Sequence, residues 1–234
     1  MKQNIKKLLS CLNKAWLRLQ QKDQDIGTSR FFRTKIINLY DNPISIRSST
    51  LENTRLRISG LGNTIDFNGA YLAGATISVE GFQNKIIFEK GVMFRNSSLV
   101  IRGENCSVRI GTDTKFGGIR IVNVGKNNPV SIGSGCLFSD HIELWASDTH
   151  SILDENGAFI NPEKAIHIGN KVWVGCNVTI LKGVSIMDGS IIGMGSVITK
   201  DVPANVISAG YPNKTIKERV TWALEYPPEN YRGI

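Results

Sequence analysis

The stretch IHIGNKVWVGCNVTILKGVSIMDGSIIGMGSVI, residues 166–198, decides the fold. Within it an aliphatic residue falls on every sixth position: Ile168, Val174, Ile180, Ile186, Ile192 and Ile198. A second register runs two residues ahead, through Ile166, Val172, Val178 and Val184 to Ser190, Ser196 and Val202. A helix repeats near 3.6 residues and a half-buried strand at two. A period of six is that of a solenoid in which each hexapeptide makes one flat side of a coil. Three sides close a coil, so residues eighteen apart stack, as Ile168 does on Ile186. The spacing predicts an all-β, three-sided solenoid of parallel strands.

Outward from this stretch the pattern loosens but persists. From Leu56 to Leu144 short aliphatic-x-aliphatic strands recur, such as Ile77-Ser78-Val79, Val108-Arg109-Ile110 and Val130-Ser131-Ile132. Their flanking residues point inward and the middle one outward. The solenoid is therefore expected over 51–204. Residues 146–165 break the repeat with a polar insertion carrying His150, Gly157 and Pro162. A polar excursion from a rigid scaffold is a usual place for function.

Both ends read as appendages. In residues 2–21, Ile5, Leu8, Leu12, Trp16 and Leu19 line one face of an expected amphipathic helix with a basic opposite face. That helix suits packing on the solenoid end or a neighbouring subunit, or contact with an anionic membrane surface. Residues 1–50 are expected as this helix and a connecting segment. In 205–234, Thr215 and Glu218 resemble a capping box, and Ile216, Val220 and Leu224 supply an apolar stripe ended by Pro227-Pro228. A C-terminal helix capping the open end is expected there.

Composition narrows the function. The 234 residues are 41% hydrophobic, include 23 glycines and carry a net charge of +8, which favours anionic partners. The basic residues are scattered without interleaved aromatics, so nucleic acid is not expected as a partner. The four cysteines show no Cys-x-x-Cys spacing, which argues against a metal cluster or disulfide framework. No apolar run is long enough to cross a bilayer and no signal-peptide core is intact, so the chain reads as cytoplasmic.

The run from Val172 to Pro203, closed by Ala209-Gly210-Tyr211-Pro212-Asn213-Lys214, resembles the hexapeptide-repeat acyltransferases. The resemblance is continuous over roughly 140–217. The segment Trp145-Ala146-Ser147-Asp148-Thr149-His150-Ser151-Ile152, with Asn161-Pro162 and Val172-Trp173-Val174-Gly175, is similar to bacterial O-acetyltransferases acting on capsule, sialic-acid polymer and lipopolysaccharide sugars. This implies a left-handed parallel β-helix, a homotrimer with sites between subunits, acetyl-CoA as donor, a carbohydrate hydroxyl as acceptor, and no metal.

Acetylating a hydroxyl needs a base for its proton, and an ordinary imidazole is mostly neutral at pH 7. His150 matches the catalytic position of the family. Asp148, two residues earlier, either orients that imidazole or stabilises the loop turn. His141 and His167 are weaker candidates. Trp173, the outward middle of its strand, either walls the active site or packs between subunits. Gly175 permits close backbone approach. Thr199 and Lys200 match family positions that line the pantetheine and meet phosphate, Lys214 matches a further phosphate contact, and Gly193 and Ser196 lie on the same coenzyme-binding rim one coil side earlier; lysine suits a phosphate as a point charge. Amino-sugar N-acetylation and a non-catalytic solenoid are the competing readings.

Overall fold

The computed structural model describes residues 24–226. Among them the chain forms 26 β-strands and no α-helix. The strands fall into three sheets of eight, ten and eight, and nearly every strand pairs in parallel with the one three places later. That connectivity is a parallel β-helix with three sides. The first side runs through Ile44–Arg47, Lys85–Phe88, Ile166–Ile168 and Ser185–Ile186. The second includes Thr50–Glu52, Leu137–Phe138, Trp173–Val174 and Val206–Ala209. The third includes Arg55–Ser59, Ser98–Glu104, Ile142–Trp145 and Thr179–Leu181.

Alternation explains the core. Ile65, Ile86, Val108, Val130 and Ile166 are register partners in one inward column, and none is more than 1% exposed. β-Branched side chains pack well on such a pleated surface. Five phenylalanines fill the wider coils as a chain of rings. Phe67 and Phe88 lie 4.7 Å apart, Phe88 and Phe94 5.1 Å, Phe94 and Phe116 5.6 Å, and Phe116 and Phe138 4.7 Å.

Coil length changes along the axis. Lys85 pairs with Ser107, a step of 22 residues, whereas His167 pairs with Ser185, a step of 18. The extra residues of the longer coils lie at the corner between the third and first sides. There a ladder of buried asparagines replaces the aliphatic filling. Asn42, Asn63 and Asn84 each donate Nδ2 to a glycine carbonyl of the next coil, Gly60, Gly81 and Gly103, at 2.9–3.0 Å. Their Oδ1 atoms accept the backbone N–H of Asn63, Asn84 and Cys106. The corner glycines are required by close approach as well as by φ. A Cβ on Gly81, whose φ is +108°, would lie 2.0 Å from Gly103 O.

Three expectations need correction or placement. The solenoid does not begin at 51, because strands Gln24–Asp25, Arg30–Phe32, Lys35–Asn38 and Ile44–Arg47 already build its first coils. Their 20-residue steps, such as Arg30 onto Thr50, hide them from a hexapeptide count. The C-terminal helix is replaced by strand Lys214–Glu218, which pairs antiparallel with Val206–Ala209. The terminal coil offers a row of unpaired backbone groups, and satisfying these outweighs a short apolar stripe. Ile216 accordingly stays 65% exposed. The helix expected over 2–21 lies outside the described residues.

The asparagine ladder yields a stability test. Asn84→Leu leaves the Cys106 N–H and the Gly103 carbonyl without their buried partner, and each orphan costs about 1–3 kcal/mol. The expected loss is roughly 2–4 kcal/mol, read as a lower denaturant midpoint with an unchanged slope. A midpoint within error of wild type would remove the ladder from the account of the fold.

Candidate active site

The insertion leaves the third side after Ile142–Trp145 and rejoins the first at Ile166–Ile168. Its cost in register is plain, since Ser131 pairs with His167 across a step of 36 residues. Polar bonds fix its root. Asn128 Nδ2 donates to Ala146 O at 3.0 Å, and Lys164 N donates to the same carbonyl at 3.2 Å. Glu163 Oε1 accepts the backbone N–H of Lys126. The tip is a small hairpin in which Leu153 bridges Phe159.

His150 sits between root and tip with its side chain in solvent. Its backbone is held on both sides. Its N–H donates to Asp148 O at 2.8 Å, and its carbonyl accepts Asn161 Nδ2 at 2.9 Å. Asp148 does not reach the imidazole through any hydrogen bond found among the described residues. Its carboxylate accepts Lys182 Nζ at 2.5 Å and Asn161 Nδ2 at 2.7 Å. These two bonds, led by the one from Lys182, hold the Asp148 carboxyl below its ordinary range. Lys182 also donates to the carbonyls of Asn161 and Pro162, both at 3.0 Å. One ammonium thus ties the start and end of the loop to the coil beneath it. Lys182 and Asn161 were not singled out from sequence. Lys182 looks like one more exposed middle residue, and only Asn161-Pro162 marked the segment.

Trp173 is 38% exposed and lies on the second side, stacked in register on Leu137 and Ile191. Its aromatic neighbour is Trp222, with centroids 6.2 Å apart, and Trp222 Nε1 donates to Lys171 O at 2.7 Å. One whole side of the coil separates Trp173 from the corner that bears His150.

The residues expected at the coenzyme divide into two corners. Gly175 and Gly193 are successive turns after the second side, and their N–H groups donate to Ile192 O and Ser208 O. A Cβ on either would meet the next coil at 2.8 Å. Ser196 is fully buried. Its hydroxyl donates to Gly193 O at 2.6 Å and accepts Gly210 N at 3.0 Å, so it secures the turn and offers nothing to a ligand. Thr199 and Lys200 are exposed at the corner after the third side. Both backbone N–H groups reach Asn213 Oδ1, at 2.9 and 3.3 Å, which brings Lys214 to the same corner. Asn213 is the buried organiser there, hidden in sequence within an ordinary Pro-Asn-Lys turn. Cys106 and Cys136 are buried, and burial pushes both thiols above their usual range.

The Lys182 clamp is testable directly. Hydrogen bonds to charged groups contribute about 1.5–3 kcal/mol, reduced here by the partial exposure of Asp148. Lys182→Met is expected to speed hydrogen exchange at the Ile152 amide roughly tenfold, the effect of ~1.4 kcal/mol. Because the Asp148 pKa is depressed, its share of the clamp is present above the ordinary carboxylate pKa. That share is lost as pH falls through the lower folded value. Equal exchange in wild type and Lys182→Met at neutral pH would show that the loop holds itself.

Comparisons with known proteins follow the same architecture. The family described as bacterial transferase hexapeptide (six repeats) matches residues 165–200. The galactoside O-acetyltransferase of Escherichia coli K12 is 42% identical over 91 residues, 38% of this chain and 44% of that protein. The polysialic acid O-acetyltransferase of Neisseria meningitidis is 33% identical over 147 residues, 61% of this chain and 67% of that protein. The match to the first of these spans less than half of that relative's length. The crystal structure of the polySia-specific acetyltransferase NeuO is 31% identical with a TM-score of 0.66, covering 88% of this chain and 90% of that one. With a six-residue repeat, a three-sided coil and relatives matched over most of their length, the chain belongs to the hexapeptide-repeat acyltransferase family, in the company of the polysialic acid O-acetyltransferases.

Proposed function

We propose that this protein transfers the acetyl group of acetyl-CoA to a hydroxyl of a bacterial surface polysaccharide, with His150 as general base. The observation that carries the reading is the exposed His150 ring on a backbone fixed from both sides, on a loop clamped by Lys182. A base acts well only where its position is set before the substrate arrives. In the step, the acceptor oxygen attacks the thioester carbonyl carbon while a ring nitrogen of His150 takes the hydroxyl proton. The carbon–sulfur bond then breaks, the imidazolium returns the proton to the leaving thiolate, and an ester and free coenzyme A result. The kinship with acetyltransferases named for polysialic acid supports the donor and the acceptor class.

Thr199, Lys200 and Lys214 would meet the coenzyme's phosphates at the corner that Asn213 organises. Trp173 stands a full side away from His150 within one chain, so a wall built by Trp173 at that base would come from a second copy. The loop tip favours the same conclusion. Ile152, Leu153, Phe159 and Ile160 are each more than half exposed, an apolar cluster that a neighbouring protomer would cover. The expected assembly is a trimer of left-handed coils.

His150→Ala is expected to lower kcat by about 10²–10⁴ on a polysaccharide acceptor while coenzyme A still binds. Titration calorimetry with coenzyme A separates loss of chemistry from loss of fold. Turnover within tenfold of wild type would exclude His150 as the base. Sedimentation should give three chains, and Phe159→Asp should shift the population toward monomer.

A further inference from the structure

The third side carries a feature that acetyl transfer alone does not use. Its outward positions form two straight columns that end at the root of the His150 loop. One column runs Lys35, Arg55, Thr76, Ser98, Arg120 and Glu143. Its neighbour runs Ile37, Arg57, Ser78, Val100, Val122 and Trp145. Coils stack at roughly 4.8 Å, so four steps from Trp145 to Arg57 cover about 19 Å.

Charge is distributed unevenly over the surface. On the first side Arg47 meets Asp66 at 3.1 Å and Arg109 meets Glu89, which leaves Lys85 exposed there without a carboxylate partner among the described residues. At the far end of the same strands of the third side, toward its corner with the first, Arg102 meets Glu80 at 3.4 Å and Lys126 meets Glu104 at 3.0 Å. Lys35, Arg55 and Arg57 are all exposed, and no carboxylate among the described residues pairs with them. Near the loop, Arg120 lies over the Trp145 ring at 5.1 Å, and Trp145 Nε1 donates to Glu143. Between the two ends the floor positions are Thr76, Ser78, Ser98, Val100 and the buried Val122.

We propose that this face is a track for an anionic polysaccharide, with Lys35, Arg55 and Arg57 as a distal subsite and Arg120 with Trp145 as the subsite next to the loop. The inference rests on the acetyl-transfer reading for its purpose but makes a separate claim about binding. Lys35 and Arg55 are register partners and Arg57 stands in the next column, so three positive charges without a carboxylate partner among the described residues lie close together, suited to the carboxylates of an acidic polymer and within a Debye length of one another at physiological salt. A short acceptor engages the subsite at the loop and never reaches the distal cations. A long one spans both and gains from simultaneous engagement. The track therefore makes affinity, and not turnover, depend on acceptor length.

The test uses the full chain, polysialic acid of graded length, and neutral dextran. Fluorescence polarisation should show wild type binding long polysialic acid at least tenfold tighter than a trimer, with the advantage falling as salt rises. Dextran should not bind. The triple variant Lys35→Gln, Arg55→Gln, Arg57→Gln removes only exposed side chains. It should lose the length advantage and most of the salt dependence, while trimer binding and melting temperature are kept. In turnover assays KM for the long acceptor should rise at least tenfold with KM for acetyl-CoA unmoved. Arg95→Gln with Lys115→Gln, on the second side, should change none of these. Retained long-chain affinity in the triple variant, equal loss on the trimer, or wild-type binding to dextran as strong as to polysialic acid would overturn the track. Length-dependent binding without acetylation of any glycan would keep the track and refute the transfer reaction.

Discussion

Every part of this molecule answers to one constraint, the backbone ladder that ties each coil to the next. A strand in the middle of the stack sends its backbone groups alternately to the coil before and the coil after, as the Thr64 N–H donates to Asn84 O and the Ile65 N–H to Pro43 O. Side chains at equivalent positions then sit one above another at the strand spacing, inside and outside alike. Inside, this demands residues that tile on their own kind, and the aliphatic columns and the phenylalanine chain meet that demand. At the wide corners it demands a polar residue that can both donate to and accept from the next coil, which a carboxamide does and an aliphatic side chain cannot. Outside, the same stacking turns single exposed residues into columns, so a surface property chosen once per coil becomes a line along the axis.

The sequence was legible where the tiling is tightest. From Ile166 to Ile198 each side takes six residues, and period, strand direction and inward set follow together. The coils from Gln24–Asp25 to Ile44–Arg47 escape a hexapeptide count because a 20-residue turn has no fixed hexapeptide phase. Their corners carry Asn42 and Asn63, which look like surface turn residues yet are buried. The C-terminal error has the opposite cause. Thr215 and Glu218 satisfy a local helix rule, but the decisive partner is the open edge at Val206–Ala209, a fact about the stack and invisible locally. At the site, His150 stood out because its loop interrupts a regular repeat. Lys182 and Asn213 did not, because each works through bonds to residues distant in sequence, 34 positions from Lys182 to Asp148 and 14 from Asn213 to Thr199. Ser196 is hard to read for a related reason, since an inward serine in the repeat carries no sign that its hydroxyl is bonded within the turn.

The insertion occupies a mechanically distinct place. It lies where coils of 22 residues give way to coils of 18. Above it the corner is wide and held by the asparagine ladder, which ends at Cys106, and one coil further on Asn128 donates to Ala146 at the loop root. Below it the corner is narrow, and Lys182 projects from the first such turn into the loop. The loop is thus gripped from both directions by the two corner types, and neither type alone supplies both contacts. A uniform hexapeptide solenoid would offer a Lys182 but no Asn128.

The wide coils also shape the third side, beyond adding length. A corner of 18-residue coils turns sharply, so a polymer leaving the loop would meet no continuous surface built to the same purpose. The broad third side above the loop runs straight from Trp145 to Arg57 because each coil there keeps strict register with the next. Register within that sheet is fixed by buried neighbours such as Leu99 and Ile101, which would be forced outward by a slip of one residue. The core that makes the coils stack is therefore the same element that aligns the cations outside with the His150 loop, and a substitution that loosened the one would misplace the other.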